Sequence, residues 1–103
     1  QLDGADIGMA VLRVAADESE LLTIAVWPAY RRGGAGRRLL EAVIDRARSA
    51  GAGVLFLEVG VDNPPALALY ESAGFSAAGR RRAYLRRGEG PPADSVVMRL
   101  ALG

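Results

Sequence analysis

Residues 21–47 read LLTIAVWPAYRRGGAGRRLLEAVIDRA, and within this stretch the pattern passes from strand to helix across a loop of arginine and glycine. Leu21 to Trp27 is apolar and of strand length, and Pro28, which has no N–H to give to a sheet ladder, ends it. Arg31 to Gly36 is a loop by composition. From Gly36 the period changes: Leu39, Leu40, Val43, Ile44 and Ala47 fall on one helical face, with Arg37, Arg38, Glu41, Asp45, Arg46 and Arg48 on the other, until Gly51 and Gly53 stop the helix. The stretch is therefore a strand, a glycine loop and a helix.

Outward from it, Val54 to Val59 (VLFLEV) is a nearly continuous apolar run of strand length, which suits a strand covered on both faces, as in a parallel crossover. Strand, helix, strand in that order implies a right-handed connection. A short second helix follows, with Asn63 as N-cap, Pro64 at the first helical position, Gly74 as the left-handed residue past its end and Phe75 as the apolar residue that folds back. On the N-terminal side, Ile7 to Val14 reads as a strand joined to Leu21–Trp27 by the polar connection Ala15 to Ser19. On the C-terminal side, strand pieces are expected at Phe75–Ala78 and Ala83–Leu85. A polar loop carrying Gly88, Gly90, Pro91 and Pro92 comes next, then an alternating strand from Ser95 to Leu102. The fold class predicted is α/β, in one domain over residues 1–103.

Composition narrows the chemistry. A chain of 103 residues, half of them apolar, supports one marginal core that buries about 60 to 65% of the unfolded surface. The sequence contains no cysteine and no histidine. Disulfide frameworks, thiolate metal sites, covalent cysteine intermediates, serine–histidine catalysis and HExxH zinc sites are all excluded, so carboxylates, tyrosine and water must move any protons. No apolar run approaches the ~20 residues that span a bilayer, and a cytoplasmic protein with no membrane partner is expected. All basic residues are arginine. Residues 1–30 are net acidic and residues 31–48 net basic, a balance that argues against general nucleic-acid binding but favours a small polyanion near the glycine loop.

Glycines let a ligand approach the backbone, and the N–H groups and dipole of a helix N-terminus favour a phosphate. Arg31-Arg32-Gly33-Gly34-Ala35-Gly36-Arg37 is thus suited to a pyrophosphate. It is not a Walker loop, because no GK[ST] follows, nor a dinucleotide fingerprint, because Leu39 stands where a third glycine is needed. The alternative is an ordinary glycine-rich loop capping a helix. The spacing matches instead the R/Q-x-x-G-x-G/A signature of GNAT acetyltransferases. Together with VLFLEVGVDNPPALALYESAGF (54–75) and RRRAYLRRGEGPPADSVVMRL (80–100), the opening stretch resembles successive segments of the bacterial ribosomal-protein alanine N-acetyltransferases, nearly everything from residue 6 onward.

That resemblance implies a mixed sheet splayed at its centre with flanking helices, and acetyl-CoA as co-substrate without a metal. It implies the pantetheine arm between two parallel strands, the acetyl carbonyl near the backbone N–H groups of Ile24, Ala25 and Val26, and pyrophosphate binding by Arg32, Gly33, Gly34, Ala35, Gly36 and Arg37. Asn63 would also contact the cofactor. The acceptor implied is a protein N-terminal amine, foremost the N-terminal alanine of a ribosomal protein, taken by a monomer or weak dimer. No counterpart of the family's first strand and two helices precedes residue 6, which suggests an N-terminally truncated core. Gly60 stands where many relatives have arginine, and Leu85 follows Tyr84 where some have a second tyrosine.

Two side chains are candidates for proton transfer. Glu58 interrupts an apolar strand, and desolvation there would raise its pKa toward what a general base needs; the alternative is a strand-end glutamate pairing an arginine. The resemblance assigns it the base. Tyr70, on the short helix, is either a core aromatic beside Leu67 or, as the resemblance implies, the acid that protonates the departing CoA thiolate. Acetylation of a small amine and non-catalytic acyl-CoA binding are the competing functions.

Overall fold

The computed structural model describes residues 8–27, 34–85 and 93–103. Seven elements follow in the order β1 (Gly8–Ala15), β2 (Glu18–Val26), α1 (Ala35–Ser49), β3 (Val54–Gly60), α2 (Pro64–Ser72), β4 (Ser76–Leu85) and β5 (Ala93–Ala101). The strands form one mixed sheet in the order β1-β2-β3-β5-β4, in which β2 and β3 are parallel and the other pairs antiparallel. The α/β class and mixed sheet are as expected. Among the described residues, no helix is long and apolar enough to cross a membrane.

Alternation decides which face of the sheet the helices cover. Leu55, Leu57 and Val59 of β3 point to one side and are buried with Leu40, Val43, Ile44 and Ala47 of α1 and Tyr70 of α2. Phe56 and Glu58 point to the other side, as successive residues of a strand must. The α1 stripe is the one its sequence spacing predicts, and Leu40 and Leu55, both 0% exposed, form its centre. Replacing a leucine so enclosed by alanine costs about 2–5 kcal/mol in such cores.

The ends of α2 follow their sequence signals closely. Asn63 Oδ1 accepts the Ala66 N–H at 3.4 Å, and prolines occupy the first two helical positions. Past the other end Gly74 takes φ 104°, which lets the Gly74 N–H reach the Glu71 carbonyl and the Phe75 N–H reach the Tyr70 carbonyl, each at 3.0 Å. This paired closure needs a residue free of the β-carbon penalty at the left-handed position.

The largest boundary differences from the sequence reading are in β2, β4 and β5. β2 begins at Glu18, because the turn needs only Ala16 and Asp17; Ala16 takes φ 56°, so the hairpin is tighter than a polar five-residue connection suggests. β4 is continuous from Ser76 to Leu85, not two pieces. Its Arg80 and Arg81 are exposed on the outer strand, where no apolar alternation is required. β5 begins at Ala93 and ends at Ala101, pairing with β3 from Val54 through Gly60.

Candidate active site

The parallel ladder between β2 and β3 runs only from Glu18–Val54 to Leu21–Leu57. Beyond that pair β2 departs from β3, and the departure has a local cause. Leu12 pairs with Leu21 but Val11 pairs with Thr23, so Leu22 is an extra residue, a β-bulge. A bulge bends its strand and increases twist. The sheet accordingly opens at its centre, the splay that the resemblance implies.

The opening is a cleft of about 300 Å³ lined by Leu21, Leu22, Thr23, Ile24, Leu57, Glu58, Val59, Asn63, Ala66 and Tyr70. Ile24, Glu58, Asn63 and Tyr70, dispersed over 47 sequence positions, therefore share one cavity. Ala25 and Val26 continue β2 past the bulge and pair with Met9 and Gly8 on β1, so the β3-facing edge of this segment borders the gap.

Glu58 is reached from two strands. Its Oε2 accepts the Ser95 hydroxyl at 2.5 Å, and its Oε1 lies 3.8 Å from the Arg81 guanidinium Nε. The side chain is 21% exposed, so the carboxylate is half-buried rather than sealed within the apolar strand. It does pair an arginine, and it also faces the cleft; the two readings of this residue are compatible.

Tyr70 is 7% exposed and packs edge-on against Phe75, with ring centroids 5.8 Å apart and planes at 62°. The chain reversal at Gly74 thus holds the ring through both backbone and side chain. Burial raises the phenol above its ordinary pKa of 10.0 by desolvating the phenolate. At neutral pH the hydroxyl stays protonated and can donate. Among the described residues no hydrogen bond engages it.

Of the expected phosphate loop, Arg32 and Gly33 lie outside the described residues. Gly34, Ala35, Gly36 and Arg37 form the start of α1. Gly34 takes φ 83°, and among the described residues an added β-carbon there would meet nothing within 4 Å and the cap carries no side-chain hydrogen bond. The first turn has no acidic residue. Open space, helix-end donors and absent carboxylates fit a diphosphate. Gly36 stands against Val26 and Leu69, where an added β-carbon would meet side chains at 4.0 and 3.7 Å, so this helix end lies beside the ends of β2 and α2.

The Arg37 guanidinium is engaged elsewhere than the sequence suggests. It donates to the Ser72 hydroxyl at 2.8 Å and the Ser72 carbonyl at 3.4 Å, and its Nε lies 3.4 Å from Glu41. It ties the start of α1 to the end of α2. Ser95, Arg81 and the Leu22 bulge escaped the sequence reading: a serine that opens an alternating strand and an arginine in an arginine run carry no local signal.

Comparison with known proteins agrees with this geometry. The model of the acetyltransferase (GNAT) family matches residues 1–75. The [Ribosomal protein bS18]-alanine N-acetyltransferase of Escherichia coli K12 is 42% identical over 100 residues, 97% of this chain and 67% of that relative. The crystal structure of the ribosomal-protein-S18-alanine N-acetyltransferase from Escherichia coli superposes with a TM-score of 0.89 at 41% identity, covering 100% of this chain and 66% of the other. The protein yncA of Salmonella typhimurium, solved with its cofactor acetyl-CoA, gives 0.84 at 27% identity over 100% of this chain and 62% of its own. The chain thus spans about two thirds of the length of these relatives. With the family model matched over most of its length and the splayed sheet of the fold in place, the chain belongs to the acetyltransferase (GNAT) family.

Proposed function

We propose that this protein transfers the acetyl group of acetyl-CoA to a protein N-terminal amine, foremost the N-terminal alanine of a ribosomal protein, by direct attack of the amine on the thioester. The observation that carries the reading is the meeting of Glu58 and Tyr70 at one cleft, a carboxylate and a protonated phenol, where β2 and β3 separate. The named activity of the Escherichia coli relative supports the acceptor. A ribosomal acceptor puts the reaction in the cytoplasm.

In this mechanism the start of α1, with Gly34, Ala35, Gly36 and the Arg37 backbone, would hold the diphosphate, together with Arg32 and Gly33. The edge of β2 at Ile24, Ala25 and Val26 borders the acetyl group, and Asn63 lines the same cavity. Glu58 takes a proton from the incoming ammonium, directly or through water, and frees the nitrogen lone pair. As the carbon–nitrogen bond forms, the nitrogen becomes cationic and loses its second proton to solvent. As the carbon–sulfur bond breaks, Tyr70 gives its proton to the departing thiolate. Solvent then reprotonates the phenolate and takes the proton held by Glu58, for a net release of one proton. One C–N bond forms and one C–S bond breaks, so no further reactant is needed.

The test is thiol release from acetyl-CoA in the presence of alanine-initiated peptides and, separately, small amines. Release driven by the peptides supports the reading. Release driven only by small amines would reassign the acceptor, and acetyl-CoA binding without release in either series would make the protein a non-catalytic binder.

A further inference from the structure

We propose that Ser95 is a positioning residue that fixes the Glu58 carboxylate for proton transfer; the proposal rests on the reading of Glu58 as the base. Ser95 is 0% exposed, and its hydroxyl donates to Glu58 Oε2. The sheet register produces this contact. Glu58 pairs with Val97 and Gly60 with Ser95 across the β3–β5 ladder, so Ser95 is the diagonal neighbour of Glu58 on the same face. Gly60 presents no side chain opposite Ser95, and the carboxylate leans along the strand toward the hydroxyl.

The other partner of the carboxylate is poorly suited to hold it. Arg81, opposite Ser95 on β4, approaches Oε1 at 3.8 Å with a side chain 52% exposed. An ion pair that long, with a half-exposed arginine, is screened by solvent and constrains the carboxylate little. Ser95 has one side-chain torsion and is enclosed. A buried hydroxyl costs stability unless it is bonded, and an alanine at this place in an apolar strand would avoid that cost. The bond therefore goes to one oxygen of Glu58 and fixes the carboxylate of a residue that lines the cleft. Misplacing a reacting group by about 1 Å can cost on the order of 100-fold in rate.

The experiment is a cycle of Ser95→Ala and Glu58→Gln, measured by steady-state kinetics with acetyl-CoA and an alanine-initiated peptide, by calorimetry with acetyl-CoA, and by thermal melting. The expected result is a kcat about 10-fold or more lower for Ser95→Ala, within the cost of misplacement, with KM and calorimetric affinity for acetyl-CoA unchanged. Ser95→Thr, which keeps the hydroxyl, restores the rate. In the Glu58→Gln background Ser95→Ala costs nothing further, because coupled residues are not additive. If Ser95→Ala fails to fold, Ser95→Cys, close in size but a weak donor, takes its place with the same expectation. A parental rate in the Ser95 variant alongside a slow Glu58→Gln overturns the proposal and leaves the base intact. Equal losses in both backgrounds overturn it in favour of a structural role. A parental rate for Glu58→Gln removes the base itself, and the Ser95 proposal with it.

Discussion

Tyr70→Phe removes one oxygen from a ring that is 7% exposed and braced edge-on by Phe75 at 5.8 Å. The ring, its contact with Phe75 and the backbone closure through Gly74 all survive the change. No hydrogen bond to the hydroxyl is lost among the described residues. The stability change at neutral pH is therefore within about 1 kcal/mol, the net worth of one hydrogen bond, and the sign is as readily stabilising as not because the phenol is desolvated. Turnover has no such protection. Loss of a general acid costs about 100 to 10,000-fold in rate.

The same variant has an alkaline signature. Burial raises the Tyr70 pKa above 10.0, so the folded state holds its proton to higher pH than the unfolded chain. The stabilisation linked to that proton is complete below the unfolded value and is lost as pH rises through the folded one. The parent loses stability in that window and Tyr70→Phe loses less. The sequence has no lysine, cysteine or histidine, which leaves the tyrosine side chains as the groups to titrate there below arginine. Denaturant melts from neutral to strongly alkaline pH, with peptide acetylation rates at neutral pH, give both readouts. A Phe variant that melts like the parent at neutral pH and turns over at a comparable rate would refute the acid role. One with an unchanged alkaline limb would refute the burial argument.

Glu58→Gln is expected to lower kcat by about 100 to 10,000-fold, most severely at low to neutral pH where the amine is mostly protonated, while calorimetry finds acetyl-CoA affinity intact. Gly36→Ala adds a β-carbon that meets Val26 and Leu69 at ordinary contact distance, so melting should be little changed; weakened acetyl-CoA binding would then report the ligand's close approach to this turn. Gly34 is a poorer test of the same idea, since its φ of 83° strains any other residue. Gly74→Ala should destabilise by roughly 1–2 kcal/mol, the cost of a β-carbon in the left-handed region, with Leu100 only 3.2 Å from the new atom; an unchanged midpoint in denaturant would contradict the closure described for α2.

Sequence reading recovered what local chemistry encodes. The apolar stripe of α1, and Asn63, Gly74 and Phe75 at the ends of α2, each depend on residues within a few positions of one another. The convergence of Glu58 with Tyr70 was expected only through the family resemblance. What was not legible is set by register between distant strands. Nothing in Leu21-Leu22-Thr23 announces the extra residue that turns β2 from β3, since the bulge is defined against Val11 and Leu12. Ser95 and Arg81 meet Glu58 because three strands align, and Arg37 turns to Ser72 because α1 and α2 are neighbours. β4 was divided because exposed arginines mask a strand on an outer edge.

The measurement that tests the central claim most directly is mass spectrometry of an alanine-initiated peptide incubated with acetyl-CoA and the protein, run beside Glu58→Gln and Tyr70→Phe. The account predicts one acetyl group on the peptide α-amine with the parent and a rate lower by orders of magnitude with either variant. Acetylation at the parental rate in both variants, or none by the parent on any amine despite bound acetyl-CoA, would contradict it.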